Sequence, residues 1–208
     1  MKYFVVGYKG TPLGTAGSAE GCVFDLQAGC SRCGTGAPLV GDLHVRSRGK
    51  SFGFAASMTY QGDLVVSDEI RQKIISDIAK SADFRRVWVN GKLSNYFCLY
   101  PRIILPPFNK PISKGYDIED QCPQCLRDGY FSKLLGFESQ CAWTYSEWST
   151  EKSTIYFTYE CFGTSNKIVK ENRILHVARP KIVLGEQIMA LLKSSARGFF
   201  SSPVCRNG

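Results

Sequence analysis

Two cysteine pairs of the form C-x-x-C stand far apart in this chain: Cys30 and Cys33 in "CSRCG", and Cys122 and Cys125 in "CPQC". Each pair puts two thiolates on one side of a tight turn. Two such turns supply four sulfurs at the corners of a tetrahedron about 4 Å on edge, the arrangement Zn²⁺ takes at Zn–S distances near ~2.3 Å. A compact zinc finger carries its ligands locally, whereas here residues 34 to 121 separate the pairs. If the four sulfurs meet, two distant segments are pinned together, and any fold that keeps them apart is excluded. Gly34 follows the first pair and tolerates the left-handed backbone that brings amide groups toward sulfur. Pro123 fixes one dihedral of the second turn, and Leu126 stands where a second glycine would fall.

Other readings of the pairs are weaker. A thioredoxin-like redox pair lies at a strand-to-helix junction, and neither pair is followed by a helical pattern. Two unrelated pairs of free thiols remain as a bland alternative. The preferred reading is one structural Zn²⁺ held by Cys30, Cys33, Cys122 and Cys125, closed to water and hence not catalytic. Cys22, Cys98, Cys141, Cys161 and Cys205 are expected to pack as small apolar residues, with Cys22 the one substitute ligand to consider.

The 208 residues are 44% hydrophobic and 21% charged, an ordinary globular composition that argues against disorder and against a fibre. No apolar run approaches the ~20 residues that cross a bilayer, so no membrane role is expected. The opening "MKYFVVGYKG" reads as a first strand and not as a secretory signal. A cytoplasmic location is therefore expected, where nine cysteines, an odd number, suit metal chemistry better than disulfides. The net charge of +8 and a pI near 9.0 favour an acidic partner.

Strands are expected over residues 2–8, 42–48, 64–67, 85–89, 96–105, with Pro101 as an interruption, and 155–161, where apolar and polar residues alternate. Further short strands are read at "ILHVA", "KIVL" and "FFSSPV". Residues 9–21 read as loop. Ser67 is placed to cap a helix over 68–81, with Asp68 and Glu69 in its first turn and Ile70, Ile74, Ile75 and Ile78 at helical spacing. A second helix is expected from Gly185 to about Ala196. "LVVSDEIRQKIISDIAKSADFRRV" (64–87) can be laid over "KIVLGEQIMALLKSSARGFFSSPV" (181–204) as a faint repeat, although any strand–helix–strand shares that pattern. The fold class expected is α+β, mostly antiparallel strands with two main helices and a zinc-ribbon-like clip. Its halves are residues 1–115, carrying the first cysteine pair, and 116–208, carrying the second, joined by the shared site into what can be one integrated domain.

Catalytic equipment is sparse. The two histidines, His44 and His176, have no partner at metal-ligand spacing. Neither H-E-x-x-H nor G-x-S-x-G occurs, and "GYKGTPLGTAG" lacks the residues of a phosphate loop. A binding surface has more support. His44, Arg46, Arg48 and Lys50 share one face of an extended strand, and Arg85, Arg86 and Lys92 flank Trp88. Such residues are ordinarily a solvated strand face; their functional reading is an electropositive patch for an acidic partner.

The order of an N-terminal strand, "CSRCG", alternating strands, "LVVSDEIRQKII" and a later "CPQC" resembles the bacterial double-CxxCG proteins of toxin–immunity systems. The likeness covers residues 1 to about 135, and "VVSDEI" is similar to the phrase that precedes the family's amphipathic helix. "CPQCL" departs from the second CxxCG. The resemblance implies a cytoplasmic, non-enzymatic immunity protein that binds one cognate toxin and blocks it sterically. It carries over no toxin-contact residue. The alternative is a zinc-ribbon nucleic-acid binder, which the charge and the stripe from His44 to Lys50 would suit.

Overall fold

Short apolar runs and alternating stretches are extended and pair into two main sheets, whose central strands are buried on both faces. The computed structural model describes residues 2–47, 53–78, 81–132, 143–146, 148, 155–164, 169–170, 173–174 and 178–206. Its first elements are β1 (Tyr3–Tyr8), β2 (Thr15–Ala16), β3 (Leu43–Arg46), β4 (Ala56–Met58), β5 (Leu64–Ser67), α1 (Asp68–Ile78), β6 (Ala82–Val89) and β7 (Lys92–Pro101). Then come β8 (Tyr116–Ile118), β9 (Tyr130–Ser132), β10 (Trp143–Tyr145), β11 (Ile155–Phe162), β12 (Val169–Lys170), β13 (Arg173–Ile174), β14 (Arg179–Gly185), α2 (Glu186–Ser195) and β15 (Phe199–Arg206). One sheet has the order β2-β3-β6-β7-β5-β4, the other β10-β15-β1-β14-β11-β9-β8, and β12 pairs with β13 separately. Antiparallel pairing dominates; β3–β6, β9–β11 and β10–β15 are parallel. The fold is thus α+β, mostly strand with two helices. Among the described residues no helix is long and apolar enough to cross a membrane.

The two stretches that overlay in sequence have the same arrangement. In each, a strand, a helix and a second strand leave room for one antiparallel strand between the two: β7 lies between β5 and β6, and β1 between β14 and β15. Phe97 sits opposite Val66 and Arg86, while Val5 sits opposite Val183 and Ser202. The overlay puts Arg86 on Pro203, so the second strands differ by one residue in register. The middle strand follows its unit in the first case and precedes it in the second, so the likeness is one of arrangement and not of chain order.

The helices begin differently. Ser67 caps α1 as expected, its Oγ accepting from the Ile70 amide at 3.4 Å. Exposed pairs Arg71–Asp68 and Lys73–Glu69 add little. Gly185 gives α2 no side-chain cap. Instead the Glu186 amide donates to the Lys2 carbonyl at 3.1 Å, so the chain beside β1 satisfies one orphan donor.

Both helices pack into one core shared by the sheets. Ile70 and Ile74 of α1 and Ile188, Met189 and Leu192 of α2 join Leu64, Val66 and Leu99 from one sheet and Val6, Ile182 and Leu184 from the other. Period two sends the alternate residues outward to two further clusters. Val65, Val87 and Cys98 meet Leu13, Phe24 and Leu39. Tyr3, Val5 and Val183 meet an aromatic group of Phe108, Tyr130, Trp143, Tyr145 and Trp148.

Two expectations about the strands and loops and one about a cysteine need correction. The strand read over 96–105 ends at Pro101, which has no amide to give a ladder. Residues 103–105 leave for the other sheet, where the Phe157 amide donates to Ile103 O and the Leu105 amide to Phe157 O, both at 2.8 Å. The loop read over 9–21 contains β2, recruited as an edge partner of β3. Of "ILHVA", Ile174 belongs to β13, whereas residues 175–177, His176 included, lie outside the described residues. Cys22, Cys98 and Cys161 are buried as expected. Cys205 is disulfide-bonded and does not pack as a free thiol, and Cys141 lies outside the described residues.

Glu160 lies among the apolar residues of β11 and is 1% exposed. Its Oε1 accepts from the Phe108 amide at 2.9 Å, while Oε2 has no hydrogen-bond partner among the described residues. Burial raises its carboxyl to about 7 against the pull of the Phe108 amide, Lys110 and Arg127. The folded state therefore holds a proton that the unfolded chain releases near 4.5. Stability contributed by this group is present below that value and is lost as pH rises to about 7. The loss is roughly 3 kcal/mol at 1.36 kcal/mol per pH unit. Denaturant unfolding of wild type and Glu160→Gln from pH 4 to 8 checks this. The difference between the two should move in favour of the glutamine variant across that range, and parallel curves would refute it.

Candidate metal centre

The first cysteine turn is the tip of a loop zipped at its base. The Asp25 amide donates to Pro38 O at 3.0 Å and the Val40 amide to Val23 O at 2.8 Å. A short turn, Leu26–Ala28, leads into it and is capped by the Asp25 carboxylate on the Gln27 amide. At the tip the Gly34 amide donates to Cys30 O at 2.7 Å and the Cys30 amide to Thr35 O at 2.9 Å. Gly34 has φ 72°, the left-handed value that its lack of a Cβ permits.

The second turn is the tip of the β8–β9 hairpin, extended by the Glu119 amide donating to Gly129 O at 2.9 Å. It repeats the first. The Leu126 amide donates to Cys122 O at 3.0 Å, as Gly34 does to Cys30. Leu126 also adopts φ 54° despite its side chain. The buried Asp128 holds this turn through its Oδ1, which accepts from the Cys122 amide at 2.8 Å. The Gln121 side chain donates to both Leu126 O and Asp128 O. Gly129 at φ 77° has no room for a side chain, since a Cβ there would lie 2.4 Å from Glu119 O.

The two tips meet. The four sulfurs of Cys30, Cys33, Cys122 and Cys125 all lie within 4.8 Å of one another. Cys33 and Cys125 are 3.7 Å apart, close to the roughly 3.8 Å tetrahedral edge that Zn–S bonds of ~2.3 Å require. Direct contacts accompany the cluster. Gln124 Nε2 donates to Ser31 Oγ at 2.8 Å across the junction. The Arg127 guanidinium lies where a side chain on Gly36 would be. Cys33 and Cys122 are wholly buried, Cys30 and Cys125 partly so.

The thiols differ in acidity. Burial raises Cys33 above its ordinary value despite the Thr35 hydroxyl 3.1 Å from its sulfur. Burial likewise pushes Cys125 up to about 11. At Cys30 burial acts upward too, but the Cys33 and Arg32 amides and the neighbouring sulfurs outweigh it and lower the thiol. Four thiolates cannot crowd together uncompensated. A bound dication would supply the missing charge, displace protons and make affinity rise with pH. The donor set, all sulfur and closed, fits a tetrahedral metal ion with zinc foremost. Cys22 does not belong to it: its sulfur lies against the backbone of His44, accepting from the amide at 3.2 Å and donating to the carbonyl at 3.3 Å.

The basic residues singled out from the sequence do not form one patch. His44 and Trp88 are opposite one another in the β3–β6 pair, their rings stacked 6° from parallel with centroids 5.7 Å apart. Trp88 Nε1 donates to Asp42 Oδ2 at 2.8 Å. Arg46, Arg86 and Lys92 are exposed. Arg85 instead turns inward, bonded to Leu39 O and lying 3.8 Å from the Tyr100 ring centroid. Arg48 and Lys50 lie outside the described residues. Sequence reasoning missed the braces Thr35, Gln121, Gln124, Arg127 and Asp128. Nearness to a cysteine pair was the one signal that could have marked them. No family model and no curated protein matches the chain.

Leu126 is 53% exposed, so removing its side chain forfeits little burial. A left-handed non-glycine residue costs about 1–2 kcal/mol, partly offset by the chain entropy that a glycine adds. Leu126→Gly should therefore stabilise the protein by up to about 1 kcal/mol, and Gly34→Ala should destabilise it by about as much. Thermal melts of the metal-loaded protein check both signs.

Proposed function

We propose that the chain is a non-enzymatic binding protein whose two sheets are clipped by one structural Zn²⁺, and that it serves as an immunity protein neutralising a cognate bacterial toxin. The observation that carries the reading is the closed four-sulfur cluster. Four thiolates complete a tetrahedral shell and leave no position for a substrate or an activated water. The clip is read as zinc-ribbon-like because each cysteine pair sits at the tip of a strand-paired loop. The remaining candidate groups support a non-catalytic role. Cys161 is buried, and burial pushes its thiol up to about 12, so it stays protonated at neutral pH. His44 is stacked on Trp88 in a strand.

The toxin-neutralising role rests on the likeness to double-CxxCG proteins. The charge of +8 suits a toxin with an acidic contact surface, and Arg46, Arg86 and Lys92 are exposed to meet it. A cytoplasmic site of action belongs to the same reading. Nucleic acid is the competing partner. The His44–Trp88 stack beside Arg46 resembles a base-stacking platform, and such binding weakens steeply with salt.

Protein purified without added metal should carry about one equivalent of zinc by elemental analysis. Cys122→Ser should lose the metal and melt at a markedly lower temperature, because metal-binding energy is partly folding energy. Metal-free wild-type protein of unchanged stability would refute the zinc clip. For the partner, the decisive measurement is recovery from the native host at moderate salt. The expected result is one co-purifying protein that is toxic when expressed alone and harmless beside this chain. Salt-sensitive recovery of DNA or RNA with no protein would favour the competing reading.

A further inference from the structure

A cavity of about 270 Å³ lies where the two sheets and the two cysteine turns converge. The six-stranded sheet contributes Arg85 and Tyr100, the seven-stranded sheet Cys161 and Arg179, and Gly36 and Arg127 come from beside the cysteine turns. Four arginines line it against two aspartates. One of the arginines is neutralised, Arg102 being paired with Asp83. Asp63 is engaged by the Thr59 hydroxyl, which donates to Oδ2 at 2.7 Å. Arg85, Arg127 and Arg179 form no ion pair among the described residues.

Each of the three lies over an aromatic ring. The guanidinium carbon lies 3.8 Å from the ring centroid of Tyr100 for Arg85, 4.4 Å from Tyr159 for Arg127 and 4.4 Å from Phe24 for Arg179. A cation–π contact steadies the guanidinium and leaves N–H donors for an acceptor. Arg85 and Arg127 use some of those donors on the carbonyls of Leu39 and Tyr159. Arg179 Nε is shut away from solvent and has no hydrogen-bond partner among the described residues. A charged donor left buried and unpaired is costly, and it points to an acceptor that arrives from outside the chain. The three arginines act on common neighbours: Arg85 and Arg179 both influence Tyr100, and Arg127 and Arg179 both influence Cys161.

We propose that this seam cavity is a binding site for a small oxyanion, a phosphate or carboxylate group, held by Arg85, Arg127 and Arg179. Forked guanidinium donors match both groups in two-point geometry. The cavity falls just below the ~300–1,000 Å³ range of drug-sized sites, so it suits a small anion and excludes a folded partner. The Cys161 thiol, protonated at neutral pH, makes the site one of binding and not of covalent attack. Because the walls come from both sheets and both cysteine turns, a bound anion ties the same parts together that the metal does. The inference rests on the seam and stands apart from the toxin-neutralising role.

The test uses the full zinc-loaded chain, titrated with inorganic phosphate and, separately, with malonate, against chloride at equal ionic strength. The expected result is a saturable rise in melting temperature with one or both oxyanions and none with chloride. Response to phosphate alone assigns a phosphate ligand, and response to malonate alone a carboxylate. Arg179→Gln and Arg127→Gln should each weaken the affinity by about tenfold or more, the scale of one charge-assisted hydrogen bond. Arg197→Gln, an exposed arginine elsewhere, should leave it unchanged. Should either cavity variant fail to fold, the wild-type titration and Arg85→Lys, which keeps the charge but loses the fork, still decide. Absence of a saturable response to both oxyanions, or an equal loss in Arg179→Gln and Arg197→Gln, overturns the proposal.

Discussion

The meeting of the two cysteine turns is the constraint on which the arrangement of this chain depends. Closing a loop of residues 34 to 121 costs entropy that grows only slowly with length, so a strong junction can hold widely separated segments. Backbone hydrogen bonds shape both sides of the junction. Each tip is closed by the amide after the second cysteine reaching back to the carbonyl of the first, and Leu126 accepts a strained conformation to complete the second tip. Gln124 to Ser31 and Arg127 against Gly36 then set one tip on the other. Four thiolates at that junction would require charge compensation, which a dication would provide.

The seven-stranded and six-stranded sheets are joined in two further ways. The first is the common core, in which α1 and α2 bury Ile74 and Leu192 among residues of both sheets. The second is the chain from Ile103 to Leu105, which leaves β7 and hydrogen-bonds to Phe157 on β11. The cysteine cluster, the core and the crossover surround the seam, and the seam collects the arginines. The fold therefore places fixed positive charge in its interior between the sheets as well as on its surface. Arg85, Arg127 and Arg179 carry that charge without an ion pair among the described residues, and burial raises the Glu160 carboxyl on the far side to about 7, so that near neutral pH it is divided between its protonated and ionised forms.

Much of the secondary structure was legible locally. Ser67 capped its helix, the isoleucines at 70 and 74 marked its buried face, period two marked β3 and β11, and short apolar runs marked β5 and β14. The failures share a cause. Residues 15–16 carry no strand pattern, yet they pair with β3 because an edge was available. Residues 103–105 continue an apolar run, yet they change sheets because Pro101 cannot extend the ladder. Arg85 and Arg86 read as one surface pair, but neighbours in a strand face opposite ways, so one is exposed and the other enters the seam.

The sequence by itself determined the four candidate ligands, since C-x-x-C spacing is a local property that needs no knowledge of the fold. It also determined the two helices and the α+β class, because capping and periodicity act over a few residues. Tertiary structure alone decided that the two cysteine pairs converge, that Cys22 is excluded from them, and that Leu126 takes the glycine-like turn. It alone brought Arg85, Arg127 and Arg179 around one cavity, for these lie on a strand of one sheet, a hairpin tip and a strand of the other. Their association depends on how two sheets pack across a shared core, and no spacing along a chain encodes that distance.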